Sequence, residues 1–122
     1  RVSQHKKMER ALLYLNRSPK EATQLKHWLK INEALVQQSV SARLLGSAAL
    51  GLAYVAAGRL DGFISYSHLK YWDIAAGSLL VEEAGGDLFD IEGNNKLFET
   101  GKLIAANTAL CENLAKLVTS IT

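Results

Sequence analysis

The stretch SARLLGSAALGLAYVAAGRLDGFISYSHLKYWDIAAGSLLVEEAGG, residues 41–86, changes texture four times and decides the fold. SARLLG (41–46) is short, apolar and closed by a glycine, which predicts a buried strand. SAALGLAYVAAG (47–58) is dense in small residues and ends on Gly58, placed to terminate a helix in the left-handed conformation. LDGFISY (60–66) carries aromatic and β-branched residues behind an Asp-Gly turn, the signature of a second strand. From Trp72 the spacing returns to helical, with Ala76, Leu79, Leu80 and Ala84 as the expected buried stripe. Strands alternating with helices predict an α/β class, with a mostly parallel sheet covered by helices on both faces.

Working outward, DLFDI (87–91) and KLIAA (102–106) are two more strand candidates, separated by the turn-rich EGNN at 92–95. Leu110, Leu114, Leu117, Val118 and Ile121 then trace an amphipathic helix, and Asn107 is placed to cap it. On the amino-terminal side, Met8, Leu12 and Leu15 recur at helical spacing and predict a helix over residues 5–16. Ser18, Pro19 and Glu21 make a capping-box start for another, with Leu25, Trp28, Leu29, Leu35 and Val36 as its stripe to about residue 38. Trp28 reads as a core or interface anchor, and Lys20, Lys26, His27 and Lys30 as a solvated face. This gives a helical segment, 1–40, packing on an α/β domain, 41–122.

The chain has 122 residues, 48% of them hydrophobic, enough for one compact core. Fourteen Lys and Arg against 12 Asp and Glu give a net charge of +2, without the one-sided charge that a nucleic acid or an acidic membrane surface selects. The single Cys111 forms no internal disulfide and reads as an apolar filler, so a reducing cytoplasm is the expected compartment. No run approaches the roughly 18 apolar residues that span a bilayer. A chain opening on Arg1 is expected to be a truncated or processed piece of a longer protein.

Two segments invite chemistry. In GSAA (46–49) a strand ends in glycine and a helix begins with serine, so backbone N–H groups and the Ser47 hydroxyl can meet an anionic or polar ligand; Ser47 as a plain cap is the alternative. In YWDIAAG (71–77) Asp73 opens a helix whose dipole favours its ionised form, the property required of a hard-cation ligand, or equally of an N-cap.

The runs RLLGSAALGLAYVAAGRLDGFI, WDIAAGSLLVEEAGG and IAAN together resemble the C-terminal half of the inositol monophosphatase family, over roughly residues 41–122. The resemblance implies a layered α/β fold and a Mg2+-dependent phosphatase. In it Asp73 would bind a catalytic magnesium, Gly46, Ser47 and Ala48 would contact substrate hydroxyls or phosphate, and Asp61 would shape the turn before its strand. The family's N-terminal glutamate and DPIDGT-like loop have no counterpart here; Glu82, Glu83, Asp87 and Asp90 are read as surface charges. The chain alone is therefore expected to be inactive, its implied partner being the missing N-terminal half of the same protein, with a homodimer also open. Inositol-preferring members carry a glutamate where this sequence has Ser65 or Tyr66. Ser65 can still bond a hydroxyl, and His68 in the same loop reads as either a phosphate contact or a plain surface residue. Candidate substrates are inositol monophosphate or another small sugar or polyol phosphate, fructose 1,6-bisphosphate, or a 3'(2'),5'-bisphosphate nucleotide. The competing class is a non-catalytic half-domain that binds phosphate or dimerises.

Overall fold

In the computed structural model, residues 1–16, 19–38, 41–44, 46–66, 69–91 and 97–121 are described. Ser18, His68 and the expected EGNN turn lie outside them. Five strands, β1 (Leu12–Leu15), β2 (Ser41–Leu44), β3 (Gly62–Ser65), β4 (Asp87–Asp90) and β5 (Leu103–Ala106), form one sheet in the order β2-β1-β3-β5-β4. The α/β class is as expected. β1 runs parallel to both β2 and β3, whereas β5 runs antiparallel to β3 and β4, so the parallel share is half of the pairings rather than most of them. The reversal lies in β5 alone, which enters between β3 and β4 and runs against both.

The helix expected over residues 5–16 is instead a short 3-10 turn at Met8–Arg10 followed by β1, near the middle of the sheet. Leu13, Tyr14 and Leu15 are each at most 5% exposed, because neighbours cover both faces. A strand buried on both faces shows a continuous apolar run with no alternation, which helical spacing imitates. Residues 1–40 thus supply a strand as well as a helix.

Helix α1 (Ala22–Gln37) is capped by Glu21, whose carboxylate accepts from the N–H groups of Thr23 and Gln24 at 3.1 and 3.0 Å. Those two donors hold the Glu21 carboxyl below its ordinary range. The buried residues of α1 are Ile31 and Leu35, with Trp28 packed at their edge; Leu29 and Val36 of the expected stripe face outward, 52% and 70% exposed. His27 is not merely solvated, since its Nδ1 lies 3.1 Å from the Tyr66 hydroxyl.

Helices α2 (Ala48–Ala56) and α3 (Tyr71–Glu83) cover one face of the sheet, over Tyr14, Phe63, Leu103 and Ala105. Helix α1 and the last helix, α5 (Thr108–Ile121), cover the other, over Leu13, Leu15, Ile64 and Ile104. A four-residue helical turn, α4 (Leu97–Thr100), precedes β5. Gly77 lets α2 and α3 touch, because a Cβ there would stand 2.6 Å from that of Leu52. The buried side of α3 is Ile74, Gly77, Ser78 and Val81, not the expected Ala76, Leu79 and Leu80. Gly58, at φ 76°, ends α2 as expected. Among the described residues no helix is long and apolar enough to cross a membrane.

Candidate functional site

The chain goes from β1 to β2 through α1 on one face of the sheet, then from β2 to β3 through α2 on the other. Where successive crossovers part in this way, a crevice opens outside the carboxyl ends of the strands. A cleft of about 210 Å³ lies there, lined by Asn16 after β1, by Gly46, Ser47, Ala48 and Ala49 at the start of α2, and by Leu69 and Asp73 at the start of α3. The structure therefore brings Gly46, Ser47, Ala48 and Asp73 to one place, although Gly46 and Asp73 are 27 positions apart in the sequence.

Ser47 is the N-cap of α2, its hydroxyl oxygen accepting from the Leu50 N–H at 3.2 Å. Its own backbone N–H is not free. It donates to the Tyr14 hydroxyl at 2.7 Å, and that hydroxyl donates in turn to the Ser47 carbonyl, also at 2.7 Å. Burial pushes the Tyr14 phenol above its usual range, so this oxygen stays protonated and the clasp neutral. The N–H groups left without a partner among the described residues are those of Ala48 and Ala49, at the positive end of a nine-residue helix.

Asp73 is the third residue of α3 rather than its cap; Lys70 holds the cap position. One Asp73 oxygen, Oδ2, accepts from the Lys70 N–H at 3.1 Å, which fixes the carboxylate on the helix start. The other, Oδ1, has no partner among the described residues. Among the described residues no group of three or more His, Cys, Asp or Glu could hold a metal ion, so Asp73 stands as a single anchored carboxylate. That donor set fits one ligand position of a magnesium ion and not a complete site.

Ser65 is fully buried at the end of β3 and does not line the cleft. Asn16, 3% exposed, lies against it and donates from Nδ2 to Ser65 Oγ at 3.3 Å. Asp61 shapes the turn before β3 by accepting from the Leu12 N–H at 2.6 Å, and its second oxygen meets His5 Nδ1 at 3.1 Å. A helix over residues 5–16 leaves Asn16 and Tyr14 no place at the end of a strand, where β1 puts them. Their signal was a polar residue closing an apolar run, LLYLN, which is how a buried strand ends at a ligand edge. A second, apolar groove borders Phe89 and Cys111 between β4 and α5. Burial, with Asp87 and Glu112 nearby, pushes the Cys111 thiol up to about 12, which leaves it without nucleophilic character.

The sequence pattern of the inositol monophosphatase family matches residues 1–122. A Pseudomonas aeruginosa protein named Nus factor SuhB is 43% identical over 110 residues, covering 88% of this chain and 40% of that protein. An inositol-1-monophosphatase of Mesorhizobium japonicum is 51% identical over 76 residues, 62% of this chain and 28% of that one. Among solved structures, the extragenic suppressor protein suhB from Bartonella henselae superposes with a TM-score of 0.86 at 36% identity, over 98% of this chain and 46% of that one. An IMPase of Thermotoga maritima gives a TM-score of 0.82 at 31% identity, over 99% and 45%. The chain spans less than half the length of these relatives.

Proposed function

We propose that this chain, which belongs to the inositol monophosphatase family, supplies the substrate-side half of a magnesium-dependent phosphomonoesterase acting on a small phosphorylated polyol or sugar. The observation that carries this reading is the sharing of one polar cleft by the Asp73 carboxylate and the first amides of α2. Asp73 would hold the Mg2+, which when bound neutralises charge on phosphoryl oxygens. The Ala48 and Ala49 N–H groups donate to an anionic oxygen in the cleft, and the Ser47 hydroxyl can add a third donor. The helix dipole of α2 favours the same charge without any reorganisation.

One carboxylate cannot build the rest of the centre. Activating a water for in-line attack requires further acidic ligands and a base, and the described residues place no second carboxylate in the cleft. The isolated chain is accordingly proposed to be inactive, and the remaining half of a full-length protein to provide these groups. That half is also proposed to cover the outer side of α2 and α3, where Leu50, Trp72, Leu79 and Leu80 are exposed. A homodimer would draw on the same kind of surface. With Ser65 or Tyr66 in place of an acid, inositol monophosphate stands beside other sugar and polyol phosphates, fructose 1,6-bisphosphate and 3'(2'),5'-bisphosphate nucleotides as substrates to be compared. A reducing cytoplasm, in which Cys111 remains a thiol, is the proposed location.

The test is Asp73→Asn in the full-length protein, which removes charge but keeps volume and the capping acceptor. Loss of a ligand carboxylate should lower Mg2+-dependent turnover on the order of a hundred-fold or more, since even groups behind the ligands are worth 10- to 100-fold. Unchanged turnover would return Asp73 to the role of a helix brace. A second reading, a role other than hydrolysis, is favoured by the name Nus factor carried by relatives such as that of Pseudomonas aeruginosa. Full-length protein that binds Mg2+ yet hydrolyses none of these phosphates would support it.

A further inference from the structure

We infer that Asn16 is the substrate-reading residue of this cleft, taking a hydroxyl of the polyol in the place that the buried Ser65 cannot reach. The inference rests on the phosphatase reading above and adds to it the residue that distinguishes one phosphate ester from another.

Position is the first ground. Asn16 follows β1 directly, and β1 is the strand from which one crossover leaves on one face of the sheet while the next crosses it on the opposite face. Ligands of open α/β sheets bind at that point. The second ground is burial. Asn16 is only 3% exposed, yet it lines the cleft together with Ser47 and Asp73. Its backbone N–H donates to the Ile64 carbonyl at 3.0 Å, and its side chain donates to Ser65 Oγ at 3.3 Å, so both ends of the residue are held on β3. A side-chain amide has two N–H donors and a carbonyl with two lone pairs. The Ser65 bond uses one of these four, and the carbonyl oxygen has no partner among the described residues. That oxygen is not sealed in, since the buried side-chain atoms without a partner among the described residues are Ser3 Oγ and Ser78 Oγ, so it stays within reach of a molecule in the cleft.

Chemistry is the third ground. A hydroxyl both donates and accepts, and a neutral amide answers it in both senses. With the phosphate drawn to the α2 amides and Asp73, the amide of Asn16 stands on the wall of the same cleft, where the rest of a polyol ester has to lie. Ser65 is a positioning residue in this arrangement, acting through Asn16 without touching the substrate.

Kinetics of the full-length enzyme with two esters separate the possibilities. Inositol 1-phosphate offers hydroxyls, and p-nitrophenyl phosphate offers none. Asn16→Ala should raise KM for inositol 1-phosphate about ten-fold with kcat within two-fold, the loss expected for one hydrogen bond to a neutral group. Both constants for p-nitrophenyl phosphate should stay within two-fold. Ser65→Ala should show the same selectivity at smaller size. Should Asn16→Ala fail to fold, the near-isosteric Asn16→Leu carries the test, since a side chain with neither donor nor acceptor must show the same selective loss. Equal losses on both esters, or none on either, overturn the role of Asn16 while leaving the phosphatase reading intact. Absence of turnover on both esters in the unsubstituted protein overturns the phosphatase reading itself, and this inference with it.

Discussion

The two faces of the sheet are covered by helices of different construction. On one face, α5 buries Leu110, Leu114 and Val118 and turns Glu112, Asn113 and Lys116 outward, so that one side meets the core and the other meets water. On the opposite face, α3 buries Ile74, Gly77 and Val81, yet its outer side carries Trp72, Leu79 and Leu80 at 72%, 60% and 51% exposed. A helix that is apolar on both sides is made for neighbours on both sides. The cleft opens at the starts of α2 and α3, on this second face. The chemistry therefore sits beside the surface that is still uncovered, where an added layer would enclose it and exclude water.

Substitutions on the two faces can break or sharpen that contrast. Leu114→Ala should cost the 122-residue chain about 2–5 kcal/mol of unfolding free energy, the range for deleting a fully buried leucine, read by urea denaturation. A loss below about 1 kcal/mol, the usual scale for an ordinary substitution, would mean that α5 is not packed as described. Gly77→Ala should cost about 1–3 kcal/mol, because the added methyl would stand 2.6 Å from Leu52 Cβ and push α2 from α3. A neutral effect would show the two helices to be further apart. Leu79→Glu should change the stability of the 122-residue chain by less than about 0.5 kcal/mol, as an exposed site allows. The same substitution in the full-length protein should cost several times more, since a covered carboxylate without a partner is strongly disfavoured. Equal effects in the two settings would leave the outer side of α3 facing solvent in both.

The same contrast explains what could be read from the amino acids. The buried residues of α5 were legible because one polar side leaves only one way to orient a helix, and Asn107 caps it as its position suggested, accepting from the Leu110 N–H at 2.9 Å. In α3 the existence of the helix was legible but its orientation was not. Leu79 and Leu80 outrank Gly77 and Ser78 in hydrophobicity, yet the smaller pair faces inward because α2 must approach closely. β1 was misread for a related reason, since a strand covered on both faces loses the alternation that marks strands. Asp73, Gly46, Ser47 and Ala48 stood out through their motifs. Asn16 did not, because what distinguishes it is a meeting of β1 with β3 and α2 that no local spacing records.

The clasp between Tyr14 and Ser47 also makes the edge of the cleft optically legible. The phenol is fully buried beneath the start of α2, and that burial delays its ionisation while the start of α2 remains in place. Tyrosinate absorbs further into the ultraviolet-visible range than tyrosine does. The alkaline difference spectrum assigned to Tyr14, by subtraction of a Tyr14→Phe protein, is thus a built-in gauge of when that edge detaches from the sheet, with no dye or label attached.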